Sequence, residues 1–210
     1  MQNNLNGIFE RDSEDIKVLS LFSGCGGMDF GIKAAGGNIV FSNDILKDAC
    51  GTLEKYFKNT EVVCEDISKI KKFPKADIVV GGYPCQSFSM AGNRDPKKDE
   101  RTNLYKHFLR VVNLISPKYF VAENVSGMKQ LGAGYVVSHH LLNARSYGVP
   151  QSRKRLFIVG VRKDLGQVFA FPKETHGKPT KKNPALKPFT SHGDAIKDLP
   201  LWPEGEFYER

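Results

Sequence analysis

The sequence has few of the features that mark secreted, membrane or metal-binding proteins. Its four cysteines lie far apart and form no CxxC pair, which argues against a zinc site and against a disulfide framework. The neighbouring His139 and His140 fall on a predicted strand, where adjacent side chains point to opposite faces and cannot chelate one metal together. No segment approaches the ~18 apolar residues of a membrane span, and the first residues lack the apolar core of a signal peptide. We therefore expect a cytoplasmic protein that uses neither a metal nor a membrane.

An excess of acidic residues is also absent. The chain of 210 residues carries 31 lysines and arginines against 23 acids, a formal net charge of +8, which mildly favours a polyanionic partner such as nucleic acid. The length suits one sizeable core. We expect an N-terminal extension over residues 1–15 and a main domain over 16–170. Residues 171–210, rich in proline and lysine, are expected to form a connector.

Short apolar runs that end in turn residues predict strands within 16–23, 38–44, 60–70, 76–82, 118–125, 135–143 and 155–162. Helical spacing of apolar side chains predicts helices over 45–57 and 104–115, and a short helix within 194–202. This alternation of strands and helices indicates an α/β fold, with a doubly wound and mainly parallel sheet.

Unusual residues end or directly follow five of the predicted strands. In open α/β sheets, ligands bind beyond the carboxyl ends of the strands, so these residues predict a binding site at that edge. In chain order they are Gly24, Gly26 and Gly27; Asp44; Asp66; Pro84 and Cys85; and Glu123 with Asn124.

The glycine cluster departs from a dinucleotide fingerprint. A GxGxxG motif beginning at Gly24 would need glycine or alanine where Asp29 stands. Asp44 nevertheless follows Gly24 by 20 residues, which is the spacing of a ribose-binding acid. A nucleoside without a pyrophosphate fits this pattern, and S-adenosyl-L-methionine is such a compound. Phe22 could then lie against the adenine, and Asp66 could accept a hydrogen bond from its amino group.

The segment "GGYPCQSFS", residues 81–89, places Cys85 on a tight loop directly after a strand. Taken alone, Cys85 is more simply a small buried residue, as most free cysteines are. However, "LFSGCGG", "GGYPCQSFS", "ENV" and "QSRKR" occur in this order, and together they resemble the motifs of the DNA (cytosine-5) methyltransferase family. The resemblance runs from about Ile16 to Arg162 and extends weakly through "FPKETHG" and "DAIKDLP".

The resemblance implies a Rossmann-like methyltransferase domain over 16–170. Such an enzyme transfers a methyl group from S-adenosyl-L-methionine to C5 of cytosine in DNA, in restriction–modification or methylation marking. Cys85 would attack C6 of a flipped-out cytosine, and Glu123 would hold or protonate N3. Arg153 and Arg155 would contact the base and the adjoining backbone. The implied cofactor-binding residues are Phe22, Ser23, Gly24, Gly26, Gly27, Asp44, Ile45, Asp66, Ile67, Pro84 and Leu104, and the implied substrate-binding residues are Gln86, Ser87, Asn124 and Gln151.

Two parts of the family pattern have no counterpart after Asp194: the target-recognition domain and the closing Asn-Ala-Val-like segment. We therefore expect the recognition part to lie in a missing segment or in a second chain. Two alternatives stay open: a methyltransferase acting on a transfer RNA cytosine, and a non-catalytic relative that binds DNA or a partner. The second would be expected to lose the thiol or the carboxylate, whereas this chain keeps Cys85 and Glu123. A nicotinamide-dependent oxidoreductase is opposed by Asp29 and by the Cys85 loop.

Overall fold

The computed structural model of the chain describes residues 16–83, 104–123, 134–179 and 184–198. Within them, seven strands form one sheet, and most lie where the sequence predicts them. The strands are β1 (Lys17–Leu21), β2 (Asn38–Asp44), β3 (Glu61–Cys64), β4 (Ile78–Gly81), β5 (Tyr119–Glu123), β6 (Tyr135–Asn143) and β7 (Lys154–Arg162). The α-helices are α1 (Gly27–Ala34), α2 (Lys47–Tyr56), α3 (Leu104–Ile115) and α4 (His192–Ile196).

The order of the strands in the sheet is β3-β2-β1-β4-β5-β7-β6. The four neighbouring pairs from β3 to β5 are all parallel, whereas β7 runs antiparallel to β5. The chain moves outward from β1 to β3 and then returns to place β4 on the other side of β1. This reversal opens a crevice at the carboxyl ends of β1 and β4, where ligands bind in open α/β sheets. The prediction of a doubly wound, mainly parallel sheet is confirmed.

One face of the sheet packs against α3. Leu19 and Leu21 of β1 and Phe120 of β5 are fully buried on this face, together with Phe108 and Val111 of the helix. The rings of Phe108 and Phe120 meet edge to face, with centroids 6.1 Å apart. The apolar spacing that predicts a helix over 104–115 is confirmed to the residue, because these side chains fall on one stripe that the sheet buries.

The other face packs against α2, and its core contains Val18 and Ile39 from the strands and Leu53 and Phe57 from the helix region. Val18 and Leu19 are neighbours in β1 and enter opposite cores, as the alternation of side chains along a strand requires. Burial on both faces explains why these strands read as continuous apolar runs rather than as alternating patterns.

Helix α1 is an element that the sequence analysis did not predict. It is short, and it begins inside the glycine cluster, at Gly27, after Gly26 in a left-handed conformation (φ 83°). A Cβ atom at Gly26 would lie 3.0 Å from the side chains of both Leu53 and Phe57. Glycine at this position therefore allows both the backbone turn and the close approach of α2.

The described residues divide into two compact units, one drawn from Met1–His139 and Leu156–Phe169, and the other from His140–Arg155 and Ala170–Arg210. In the second unit, a 3₁₀ helix, Ala144–Tyr147, is capped by Asn143. The carbonyl of Ser146 in this helix accepts from the backbone N–H groups of Thr175 and His176 at 3.0 and 2.9 Å. The predicted division into an extension, a catalytic domain and a connector stays a prediction.

Helix α4 begins two residues before the segment in which a helix is predicted, because Ser191 and Asp194 form a capping box. Among the described residues, the helices are too short or too polar to cross a membrane.

Candidate active site

A carboxylate links the ends of the neighbouring strands β1 and β2. Oδ2 of Asp44 accepts from the backbone N–H of Gly24 at 2.8 Å, and Oδ1 accepts from the backbone N–H of Leu46 at 3.0 Å. The backbone N–H of Ser23 donates to the carbonyl of Asn43 at 3.0 Å. The single carboxylate of Asp44 thus holds both the glycine turn after β1 and the residue before α2. Hydrogen bonds to a charged acceptor are stronger than those between neutral groups.

The glycine turn presents open space and one aromatic ring. A Cβ atom at Gly24 or at Gly27 would meet no atom within 4 Å. Phe22 has a left-handed backbone conformation (φ 54°), which is uncommon for a bulky residue and concentrates at functional sites. Its ring contacts that of Tyr83, with centroids 5.9 Å apart. The end of β1 therefore carries a half-buried aromatic side chain beside an uncrowded turn.

The ends of β2 and β3 supply an apolar side chain and a second carboxylate. Ile45 is 64% exposed, although it directly follows a buried strand. Oδ1 of Asp66 accepts from the backbone N–H of Ser68 at 2.8 Å, and this bond, with the Ser68 hydroxyl, lowers the pKa of Asp66. The next residue, Ile67, is buried in the core. Asp66 is therefore ionised at neutral pH, and its carboxylate can accept further hydrogen bonds.

Glu123 is the last residue of β5, beside the end of β4. A Cβ atom built at Gly82 would lie 3.3 Å from Oε2 of Glu123, so the carboxylate rests against the backbone at Gly82. That glycine precedes Cys85 by three residues in the chain. The sheet therefore places the Glu123 carboxylate at the point from which the chain leaves β4 towards Cys85.

Five of the predicted site residues lie outside the described residues: Pro84, Cys85, Gln86, Ser87 and Asn124. Leu104 is described as the first residue of α3, and it is partly buried against the core on that face of the sheet. The ends of β1, β2 and β3 thus bring together the predicted cofactor residues from Phe22 to Gly27, Asp44 with Ile45, and Asp66 with Ile67.

The remaining predicted residues belong to the second unit. Gln151 and Arg153 are exposed, and the carbonyl of Arg153 accepts from the backbone N–H of Ala144 at 3.0 Å. Arg155 is half-buried in β7, and its guanidinium donates to the carbonyl of Lys154 at 2.8 Å. Arg153 and Arg155 therefore flank Lys154, so that three consecutive cationic residues stand at the beginning of this strand.

Sequence reasoning missed one buried amide that supports the site. Asn43 is 1% exposed, and its Nδ2 donates to the carbonyl of Val63 at 2.9 Å and to that of Glu65 at 2.8 Å. It thereby holds the end of β3 against β2. No local pattern identifies it, because its partners lie 20 and 22 residues away.

Asp29, in α1, is a second buried group that has no assigned role. It is 0% exposed, and among the described residues neither of its carboxylate oxygens has a hydrogen-bond partner of good geometry. Burial raises the pKa of Asp29, an effect that the nearby hydroxyls of Ser20 and Ser42 offset in part. The sequence does mark this position, because Asp29 stands where a GxGxxG dinucleotide fingerprint would have its third glycine. In the described part of the chain, no group of three histidine, cysteine or acidic side chains could hold a metal ion.

The fold and the arrangement of these strand ends are those of a Rossmann-like methyltransferase. A prophage-encoded protein of E. coli described as a DNA modification methyltransferase superposes with a TM-score of 0.72 at 29% identity, covering 90% of this chain and 56% of that one. A mutant of Spodoptera frugiperda DNMT2 superposes with a TM-score of 0.60 at 28% identity, over 75% of this chain and 53% of that one. Residues 16–202 match the family of C-5 cytosine-specific DNA methylases, and the chain belongs to that family.

Bacterial relatives agree with this assignment. The type II methyltransferase M.BspRI of Lysinibacillus sphaericus is 40% identical over 94% of this chain and 56% of its own length. M.NgoFVII of Neisseria gonorrhoeae is 44% identical over 88% of this chain and 53% of its own length. The chain thus spans about half the length of these relatives. By contrast, it covers 89% of M.AquIA of Picosynechococcus, at 40% identity.

Proposed function

We propose that this protein transfers a methyl group from S-adenosyl-L-methionine to C5 of cytosine in DNA. The observation that carries the proposal is the position of Glu123, whose carboxylate rests against Gly82 where the chain leaves for Cys85. A carboxyl group at the end of β5 and a thiol that follows β4 by four residues in the sequence suit the two tasks of this reaction, proton handling and nucleophilic attack. Membership of the C-5 cytosine-specific DNA methylase family supports the same conclusion.

The described residues fit a nucleoside cofactor. The turn at Gly24 and Gly27 leaves open space, Phe22 and the exposed Ile45 offer apolar surfaces to a purine, and Asp66 offers an acceptor to its amino group. Asp44 can accept from a ribose hydroxyl, because each carboxylate oxygen accepts more than one hydrogen bond. When bound, S-adenosyl-L-methionine supplies an electrophilic methyl group on a sulfonium ion.

The covalent step follows from the weak nucleophilicity of cytosine at C5. The Cys85 thiolate adds to C6, and the electron pair of the C5–C6 bond becomes available at C5, with Glu123 holding or protonating N3. When bound, S-adenosyl-L-methionine would supply the methyl group to C5 and would be released as S-adenosyl-L-homocysteine. Loss of the C5 proton to solvent, elimination of the Cys85 thiolate from C6 and return of the N3 proton to Glu123 restore the aromatic ring and the free enzyme.

Substrate binding is assigned to Gln151, Arg153 and Arg155, with Gln86, Ser87 and Asn124 beside the base. The base must leave the duplex to reach Cys85, which costs a few kcal/mol, and the guanidinium groups can hold the base and the adjoining phosphates. We propose double-stranded DNA as the substrate. The chain spans about half the length of two of the bacterial relatives described above.

The test is transfer of a labelled methyl group from S-adenosyl-L-methionine to duplex DNA and, in parallel, to transfer RNA, using the longest chain that the gene encodes. Label at C5 of cytosine in DNA is the expected result. Cys85→Ser should abolish transfer, whereas Cys64→Ser, at an exposed cysteine, should retain it. DNA containing 5-fluorocytosine should form a stable adduct with the wild type, because the fluorine cannot leave as a cation.

Three results would contradict the proposal. Label in transfer RNA alone would mean that the substrate is transfer RNA and not DNA. Transfer by Cys85→Ser at the wild-type rate would exclude the covalent step, and the absence of label in both nucleic acids would favour a non-catalytic relative.

A further inference from the structure

The segment that carries Asp66 has no regular secondary structure to hold it. Residues 65–77 connect β3 to β4, and none of them, all described, lies in a helix or a strand. A doubly wound fold usually places a helix in such a connection. Within the segment, the N–H of Lys69 donates to the carbonyl of Asp66 and Nζ of Lys71 to that of Ser68. Other backbone carbonyls of the segment need hydrogen-bond donors from outside it.

Arg110 of α3 supplies these donors. Its Nη2 donates to the carbonyl of Ile67 at 2.6 Å, and its Nη1 donates to the carbonyl of Ile70 at 3.0 Å. The carbon of the guanidinium group also lies 5.8 Å from the centroid of the Phe73 ring. One side chain thus engages three points of the segment, which a planar guanidinium fork can do and a lysine ammonium cannot.

One contact of Arg110 lies next to Asp66, the residue whose carboxylate is proposed to bind the adenine amino group. Ile67 is the residue after Asp66, and it is itself buried in the core. On the other side, Asn43 holds the carbonyl of Glu65 at 2.8 Å. The backbone on both sides of Asp66 is therefore tied to the fold, to β2 through Asn43 and to α3 through Arg110.

The same helix begins at Leu104, a proposed cofactor contact. Arg110 lies six residues further along, just under two turns, on the part of α3 that faces residues 67–73. Its bonds to Ile67 and Ile70 span 43 and 40 residues of sequence. A displacement of α3 would therefore move the backbone that aims Asp66.

We infer that Arg110 is a positioning residue that holds residues 66–70 in the conformation that recognises the adenine amino group of the cofactor. This inference rests on the proposed function, which places the adenine at Asp66. Arg110 acts through the backbone of Ile67 and Ile70 and does not itself contact the cofactor. It therefore affects cofactor affinity and base selectivity, and leaves the rate of the chemical step unchanged.

The experiment measures equilibrium binding of S-adenosyl-L-homocysteine and of its inosine analogue, in which an oxygen replaces the adenine amino group. The whole protein is used as wild type, Arg110→Met and Arg110→Lys. Arg110→Met keeps the aliphatic part of the side chain and loses all five N–H donors. It should weaken binding of S-adenosyl-L-homocysteine about tenfold, and binding of the inosine analogue much less. Arg110→Lys, which retains the charge without the fork, should give an intermediate loss.

Arg162→Met is the matched control. Arg162 also donates to a backbone carbonyl, that of Ser116 at 2.7 Å, but it does not hold the segment after β3. Its replacement should leave the preference for adenine over hypoxanthine as in the wild type. In steady-state assays, Arg110→Met should raise KM for S-adenosyl-L-methionine with kcat unchanged, which marks a loss of binding alone.

A double-mutant cycle with Asp66 completes the test. In an Asp66→Ala background, Arg110→Met should cause little further loss, because the group that Arg110 aims is gone. Equal weakening of both ligands, or fully additive losses in the cycle, would overturn the role of Arg110 in positioning. If the wild type itself does not prefer S-adenosyl-L-homocysteine, the placement of adenine at Asp66 is wrong, and the inference about Arg110 is overturned with it.

Discussion

Replacement of Asp44 is the most direct test of the cofactor site, because this carboxylate joins two elements of it. Its two oxygens accept from the N–H groups of Gly24 and Leu46, at 2.8 and 3.0 Å. Asp44→Ala removes both acceptors and frees the glycine turn from the beginning of α2. It also removes the acceptor assigned to the ribose. The variant should therefore bind S-adenosyl-L-homocysteine more weakly while the sheet stays folded.

The size of the effect follows from the number and kind of bonds lost. A hydrogen bond to a charged acceptor contributes about 1.5–3 kcal/mol, but the freed N–H groups of Gly24 and Leu46 lie near the surface and can bind water. We therefore expect binding to weaken by about 1–3 kcal/mol, or roughly 5- to 150-fold. Asp44→Asn keeps one carbonyl oxygen and should lose about half of this free energy.

Calorimetric titration of S-adenosyl-L-homocysteine into the three proteins gives these values, with urea unfolding as the measure of folding. Asp48→Ala is the matched control, since Asp48 is an exposed acid in the first turn of α2, and its loss should change affinity by less than about 0.5 kcal/mol. Wild-type affinity in Asp44→Ala would refute the placement of the cofactor at the ends of β1 and β2.

Two further predictions concern buried titratable groups. Burial raises the pKa of Asp29 above its ordinary value of 3.8, despite the hydroxyls of Ser20 and Ser42. The native state then binds this proton more tightly than the unfolded state, so the contribution of Asp29 to the free energy of unfolding should fall as pH rises from about 3.8 through the native pKa. Asp29→Asn should remove this fall, which urea unfolding at a series of pH values would detect; an unchanged profile would exclude Asp29 as its source. Burial and the neighbouring Cys64 raise the pKa of Cys50 to about 12. Iodoacetamide at pH 8 should therefore modify the exposed Cys64 and leave Cys50 unmodified until the protein unfolds, as mass spectrometry of the peptides would show. Modification of both thiols at one rate would contradict the burial of Cys50.

Much of the fold is predictable because each element satisfies a local rule. The stripe of apolar side chains over 104–115 is one helix face, and Pro117 follows its end, so α3 is predicted correctly from sequence alone. The apolar runs of β1 and β4 end in glycine, which marks the strand ends. Helix α1 escapes prediction because its first turn lies in a glycine cluster, where local preference for a helix is weak.

The sequence also determined which residue types stand at the strand ends, since chain order and the parallel-sheet rule together place Gly24, Asp44, Asp66 and Glu123 at one edge. The tertiary structure decided which of them act together. It directs the Asp44 carboxylate to the backbone of Gly24, sets Glu123 against Gly82, and brings Arg110 to Ile67 from 43 residues away. Such contacts depend on side-chain direction and on the packing of α3 against the sheet. Local propensity and periodicity do not encode them, because they act within one element, and these contacts join several.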